Sequence, residues 1–195
     1  PCKLIAGVPT ATARCIGPVS EPTKSLPLRV REASSVMEVA GDTIGILGLG
    51  GIGLQVAKRA NAFDMRILAV DPVATEKPNY VEDLWGVDQL HQMLRQSDFL
   101  AICCPLTPQT QGIISTVEFG VMKETAFLVN IARGRIIDQP ALIEALQTNQ
   151  IAGAGLDVTE PEPLLADNPL WEMENVIITP HHAGQSPKSA PRIFQ

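Results

Sequence analysis

Arg133, Asp157, Glu160, Glu162, His181 and His182 are the side chains of this 195-residue chain best suited to chemistry. Each stands just beyond a short apolar run. The segments are Asn130-Ile-Ala-Arg133-Gly134, Leu156-Asp157-Val-Thr-Glu160-Pro-Glu162-Pro163 and Thr179-Pro180-His181-His182-Ala-Gly184. A guanidinium holds a carboxylate through two parallel hydrogen bonds, and an imidazole backed by a carboxylate moves a proton near neutral pH. Residues of these types on one rim suit chemistry on an oxyacid.

A further signal lies upstream. Gly48-Leu-Gly50-Gly51-Ile-Gly53 joins the apolar run Ile44-Gly-Ile-Leu47 to a helical stretch from Leu54 to Ala60, and the next run, Arg66 to Val70, ends on Asp71. A short glycine string is common by itself. Between a strand and a helix, with an acid about 20 residues further on, it is the dinucleotide-binding βαβ fingerprint. Gly48 permits the tight turn, Gly50 leaves the backbone open to a pyrophosphate, and Gly53 allows close packing of the helix. The free N–H groups and dipole at the helix start then hold phosphate. Asp71 is placed to accept from a ribose diol and to repel a 2′-phosphate. Pro72-Val-Ala-Thr75 offers no arginine to offset that repulsion, so the pattern favours NAD over NADP.

The elements that must position these groups follow from the hydrophobic pattern. Strands are expected at 43–47, 66–70, 98–103, 126–130 and 152–157, with another near 175–179. Helices are expected at about 51–62, 87–96, 116–122 and 139–147. Such alternation gives an α/β, Rossmann-like, doubly wound parallel sheet, whose ligands bind outside the carboxyl ends of the strands. Asp138 before Pro140 marks a helix start and Asn149 its end. Pro1, Pro9, Pro18, Pro22 and Pro27 make residues 1–37 read as an irregular extension, with a short helix over 29–39. His91, between Gln89 and Gln92, reads as a solvated surface residue.

Composition narrows the function classes. With 45% hydrophobic but only 4% aromatic residues, aliphatic side chains fill the core. A formal net charge of −6 and the lack of any basic run argue against nucleic acid or an anionic membrane as partner. No apolar stretch is long enough to span a bilayer. Cys2, Cys15, Cys103 and Cys104 lack metal-ligand or disulfide-framework spacing. They read as small apolar filling in a reducing cytoplasm, and no metal site is expected.

From about Glu38 to Pro187 these motifs resemble the cofactor-binding domain of the D-isomer-specific 2-hydroxyacid dehydrogenases. The resemblance implies that Arg133 binds the substrate carboxylate and carbonyl oxygen, that His181 rather than His182 is the acid/base, and that Glu162 rather than Glu160 pairs with it. It further implies that Asp157 meets the nicotinamide carboxamide and that Gly51 and Ile52 meet the pyrophosphate. Cys104, Pro105, Ile131, Ala132 and Gly184 would line the nucleotide and nicotinamide. The implied reaction is reversible reduction of a 2-oxo acid with NAD as cofactor. A homodimer through this domain is also implied. Family members usually carry an apolar residue where His182 stands, and glycine where Asp64 stands; the aspartate there is expected to adopt the left-handed conformation.

The family's substrate-binding domain is expected to be missing or shortened. Residues 1–37 do not resemble it, and 188–195 read as a truncated tail. Two alternatives to an active dehydrogenase therefore stand: an NAD(H)-binding regulatory module like the C-terminal-binding corepressors, and an inactive fragment.

Overall fold

The computed structural model describes residues 38–74 and 76–185. The expectations for 1–37 and 188–195 lie outside the described residues. So does the helix expected over 29–39, except for Glu38 and Val39, which are not helical.

Seven strands form one sheet: β1 (Thr43–Leu47), β2 (Arg66–Val70), β3 (Asp83–Trp85), β4 (Phe99–Ile102), β5 (Phe127–Asn130), β6 (Gly153–Leu156) and β7 (Val176–Ile178). Their spatial order is β3-β2-β1-β4-β5-β6-β7 and every neighbouring pair is parallel. This is the doubly wound topology expected from the alternation of elements. The strand order reverses between β1 and β4, which opens a crevice at their carboxyl ends.

The register is as informative as the order. Trp85 pairs with Val70, Val70 with Leu47, Leu47 with Ile102, Ile102 with Asn130, Asn130 with Leu156, and Leu156 with Ile178. The last residues of all seven strands thus form one row. Every chain segment that leaves the sheet past that row emerges on the same edge.

Helices α1 (Gly51–Asn61), α2 (Leu90–Gln96), α3 (Thr116–Phe119) and α4 (Gln139–Gln147) connect the strands, with 3₁₀ turns at Val87–Gln89, Gly134–Ile136 and Pro169–Trp171. Alternating strand residues face opposite layers. Ile44, Ile46, Ile67 and Ala69 meet Ala57 and Ala60 of α1 on one face. Leu47, Leu68, Leu100, Ile102 and Leu128 meet Met93, Leu94, Phe119, Leu142 and Leu146 on the other.

Local signals set the boundaries. Asp138 accepts from the Ala141 N–H (3.1 Å) and caps α4, which has Pro140 in its first turn. Asn149 and Asp64 both turn left-handed, each with φ of 56°. Three expectations need correction. The helix expected over 116–122 starts as expected, where Ser115 and Glu118 form a capping box, but stops at Phe119, with Gly120 as its C-terminal cap. No strand was expected over β3, since three residues at a sheet edge are too few to show a period. His91 is partly solvated, as expected, but it is also paired: its Nε2 lies 2.9 Å from Glu118 Oε1, tying α2 to α3.

At the opposite edge of the sheet, Asp98 joins three elements. Its carboxylate accepts from the Thr43 N–H (2.9 Å) and from Lys123 Nζ (2.7 Å). Burial pushes its carboxyl up, but the Lys123 ammonium and the Thr43 amide outweigh that and hold it below the ordinary value. A lowered folded-state value gives stability that is complete above the ordinary carboxyl range and fades as pH falls through the lowered one. Asp98→Asn is therefore expected to reduce urea stability at pH 7, with the deficit shrinking below about pH 4. An equal deficit at both pH values would contradict this account.

Candidate functional site

The glycine-rich turn sits at the crevice between β1 and β4. Gly48 has φ of 97°, and a Cβ there would lie 2.6 Å from the Cys104 nitrogen, so no other residue fits. At Gly53 a Cβ would lie 2.0 Å from the Gly48 carbonyl oxygen. The start of α1 therefore packs on the turn even more closely than on the strand. Gly50 and Gly51 differ: a Cβ on either meets nothing within 4 Å. Those two leave open space above the first turn of α1, whose first hydrogen bond runs from the Leu54 N–H to the Gly50 carbonyl. The N–H groups of residues 51–53 precede that bond and have no helical acceptor. Ile52 stands exposed beside them, at 58% of its full area.

Asp71, one residue past β2, fastens this turn. Oδ2 accepts from the Leu49 N–H, and Oδ1 accepts from the Val73 and Ala74 N–H groups, each at 2.8 Å. A carboxylate offers about four acceptor positions, so these bonds leave one on Oδ2.

Past β4, Cys104 is buried and Pro105 is exposed. The Pro105 carbonyl accepts from the Thr110 hydroxyl (2.7 Å), which folds the following loop. Burial pushes the thiols of Cys103 and Cys104 up to about 11, with Asp71 adding to the effect at Cys104. Both are protonated at neutral pH and pack as small apolar groups.

Beyond β5, fully buried Asn130 shapes the arginine loop. Its Oδ1 accepts from the Ala132 N–H (3.0 Å) and its Nδ2 donates to the Arg133 carbonyl (2.9 Å). Ala132 is buried and Arg133 is exposed; its Nη1 donates to the Ala132 carbonyl (2.6 Å). The next residue, Gly134, touches the loop after β6, for a Cβ on it would lie 2.1 Å from the Thr159 carbonyl oxygen. Arg133 and the Glu162 segment are thereby neighbours.

Asp157 anchors the last loop. Buried at 5% exposure, it accepts from the Thr179 hydroxyl (2.5 Å) and the His182 N–H (3.0 Å) on Oδ1, and from the Ala183 N–H (2.9 Å) on Oδ2. Burial pushes its carboxyl up, but the Thr179 hydroxyl, the two amides and the nearby His181 together hold it below the ordinary range. His181 takes a left-handed φ of 54° within this anchored segment. Its Nδ1 lies 2.8 Å from Glu162 Oε1, and both side chains are a little under half exposed. Nε2 of His181 has no partner among the described residues. No hydrogen bond or ion pair of the Glu160 carboxylate is found among them either, whereas its backbone is held by Gln139.

His182 is exposed and lies at the edge of an apolar cleft of about 400 Å³ lined also by Val129, Ile131, Leu156, Asp157, Ile177 and Ala183. Gly184 is exposed at the end of the loop. Asn130 and Thr179 were part of the quoted motifs but had no assigned role; the structure makes both of them fasteners. A short polar residue closing an apolar run was the available signal. No group of three or more potential metal ligands occurs among the described residues, and none of their helices is long and apolar enough to cross a membrane.

A parallel doubly wound sheet with a glycine turn at its switch point defines a dinucleotide-binding α/β domain. Comparison with known proteins narrows the class. The model of the D-isomer specific 2-hydroxyacid dehydrogenase NAD binding domain matches residues 10–183. A glyoxylate reductase of Korarchaeum cryptofilum is 44% identical over 160 residues, covering 81% of this chain and 47% of the relative. A D-3-phosphoglycerate dehydrogenase of Methanocaldococcus jannaschii is 44% identical over 153 residues, covering 77% and 28%. Among solved structures, a D-isomer specific 2-hydroxyacid dehydrogenase from Xanthobacter autotrophicus Py2 in complex with NADPH and MES superposes with a TM-score of 0.77 at 32% identity, covering 84% of this chain and 68% of that one. D-lactate dehydrogenase with NAD+ from Lactobacillus jensenii gives 0.73 at 33%, covering 85% and 53%. The chain belongs to the D-isomer specific 2-hydroxyacid dehydrogenase family and carries its NAD-binding domain. It spans about half, or less, of the length of these curated relatives.

Replacing Asp157 by Ala removes the charged acceptor shared by the His182 and Ala183 N–H groups and the Thr179 hydroxyl, a cost of about 1–3 kcal/mol. Amide exchange at His182 and Ala183 is expected to accelerate relative to the rest of the sheet edge. Unchanged protection of both would show that Asp157 does not hold the loop.

Proposed function

We propose that this chain forms the cofactor half of an NAD-dependent enzyme that reversibly reduces a 2-oxo acid to a D-2-hydroxy acid. The observation that carries the reading is the contact between His181 Nδ1 and Glu162 Oε1 on the edge that also holds the glycine turn. The fit to a dinucleotide rests on the open space at Gly50 and Gly51, the unpaired N–H groups of the first helical turn and the remaining acceptor position of Asp71. Gly48, Gly50, Gly51, Ile52 and Gly53 would hold the pyrophosphate, and Asp71 the adenosine ribose. Cys104, Pro105, Ile131, Ala132, Arg133, Asp157, His181 and Gly184 would line the remainder of the cofactor. When bound, NAD(H) exchanges a hydride with the carbon that bears the oxo or hydroxyl group.

The remaining work falls to this chain's own side chains. Arg133, exposed on the rim, binds the substrate carboxylate and polarises the neighbouring carbonyl. Glu162 accepts from His181 Nδ1, which leaves Nε2 to face the substrate oxygen. During reduction imidazolium donates its Nε2 proton to the oxo oxygen, and during oxidation the neutral ring takes the proton back. The negative charge of Glu162 stabilises the imidazolium between these events. Three of the roughly four acceptor positions of Asp157 hold the histidine loop, so one, on Oδ2, would remain for a nicotinamide carboxamide. A homodimer through this domain and a cytoplasmic setting belong to the same reading, supported by the family relationship and by the free thiols of Cys103 and Cys104.

The test uses the full chain. Fluorescence titration is expected to show tighter binding of NADH than of NADPH, and Asp71→Ser to narrow the gap at least tenfold. In an assay with glyoxylate, hydroxypyruvate and pyruvate, His181→Asn is expected to lower NADH oxidation by about 10²–10⁴-fold with NADH affinity largely kept. Binding without turnover on any 2-oxo acid would overturn the enzymatic reading for this chain, and no binding would overturn the cofactor reading as well.

A further inference from the structure

Glu162 sits in the least supported part of the site. Val158 and Thr159 are buried before it and Leu164 after it, but Glu160, Pro161, Glu162 and Pro163 are all exposed. A carboxylate on such a stretch keeps its aim only if the backbone beneath it is held. One hold is internal, from the Thr159 hydroxyl to the Pro161 carbonyl (3.0 Å). The other comes from a different element. Gln139, the first residue of α4, donates from Nε2 to the Glu160 carbonyl (2.6 Å) and accepts on Oε1 from the Glu160 N–H (3.0 Å).

That double contact has a chemical requirement. A carboxamide carries a donor and an acceptor side by side and so matches the N–H and C=O of one extended residue, as a neighbouring strand would. A carboxylate in its place would face the Glu160 carbonyl with a lone pair, and an apolar chain would offer neither partner. Asp138 fixes the base of the same helix by capping Ala141, and Gly134 brings the chain before it against Thr159. The Gln139 amide is therefore presented from a rigid base, and the residue it grips, Glu160, lies two positions before Glu162 along the chain.

We infer that Gln139 is a positioning residue: by gripping the backbone of Glu160 it aims the Glu162 carboxylate at His181 Nδ1. This rests on the proposed acid/base reading of that pair. The grip also decides where the neutral ring carries its proton. With Glu162 accepting, the proton stays on Nδ1 and Nε2 is left as the acceptor that the oxidative direction needs.

The experiment reads that proton directly. In the ¹⁵N-labelled 195-residue chain, long-range ¹H–¹⁵N correlation at a pH where His181 is neutral is expected to show the Nδ1–H form when the sequence is unaltered. Gln139→Met, which keeps length and helix propensity, is expected to lose that signature, and Gln139→Glu to weaken it by removing the donor alone, while thermal unfolding shifts little. Glu162→Gln serves as the reference and is expected to change the ring signals by itself. If Glu162→Gln alters the His181 signals and both Gln139 variants leave them as they were, the positioning role is overturned and the pair stands. If Glu162→Gln changes nothing, the reading of the pair fails first. Loss of the signature in Gln139→Met together with global unfolding, and none in folded Gln139→Glu, would also overturn the proposal.

Discussion

The parallel register of the sheet is the constraint on which everything else depends. Each strand ends opposite the end of its neighbour, from Trp85 through Val70, Leu47, Ile102, Asn130 and Leu156 to Ile178. Backbone hydrogen bonding fixes that alignment, and a slip of one residue in a central strand would exchange the side chains that pack against the two helical layers. Because the ends coincide, segments that are far apart in sequence leave the sheet along a common edge. The glycine turn, the Cys104 loop, the arginine loop and the histidine loop are neighbours for that reason.

Beyond the row of strand ends, burial does only part of the positioning. Leu49, Cys104, Ala132 and Val158 still root their loops in the core, but the outer residues are exposed, and hydrogen bonds to a few strand-end side chains give them shape. Asn130 closes the arginine loop on itself, Asp71 draws Leu49 of the glycine turn onto the end of β2, and Asp157 collects a hydroxyl and two amides from the segment around His181. All three are short polar side chains directly at or just after the last strand residue. From there they reach loop amides while their backbones still belong to the sheet. The low carboxyl pKa of Asp157 reflects the same geometry, since donors that hold the loop also favour the charged form.

Close approach of loops is achieved by removing side chains. Gly48 against Cys104 and Gly134 against Thr159 leave no room for a methyl group, and each contact joins two segments that bear on the site. Gly50 and Gly51 have no such neighbour, and a Cβ on either would stand in open space. The distinction between these two kinds of glycine is invisible in a motif and plain in a structure.

Much of the fold was legible from periodicity: six strands and the helices between them fall within a residue or two of the expected bounds, except at α3 and at the start of α2, where Val87–Gln89 form a 3₁₀ turn. The short edge strand β3 escaped because three residues carry no period, and the pairing of His91 escaped because Glu118, 27 residues away, is a neighbour only after α2 and α3 pack. The sequence by itself determined the alternation of elements, the glycine turn with its distant acid, and the residue types available at each strand end, for these depend on local sterics and on hydrophobic spacing. Only the tertiary structure decided that Glu118 meets His91, that Thr179 and the His182 and Ala183 amides gather on Asp157, and that Gln139 grips the backbone of Glu160. Those outcomes turn on distances of a few ångströms between chain segments that share no local rule, and packing alone sets them.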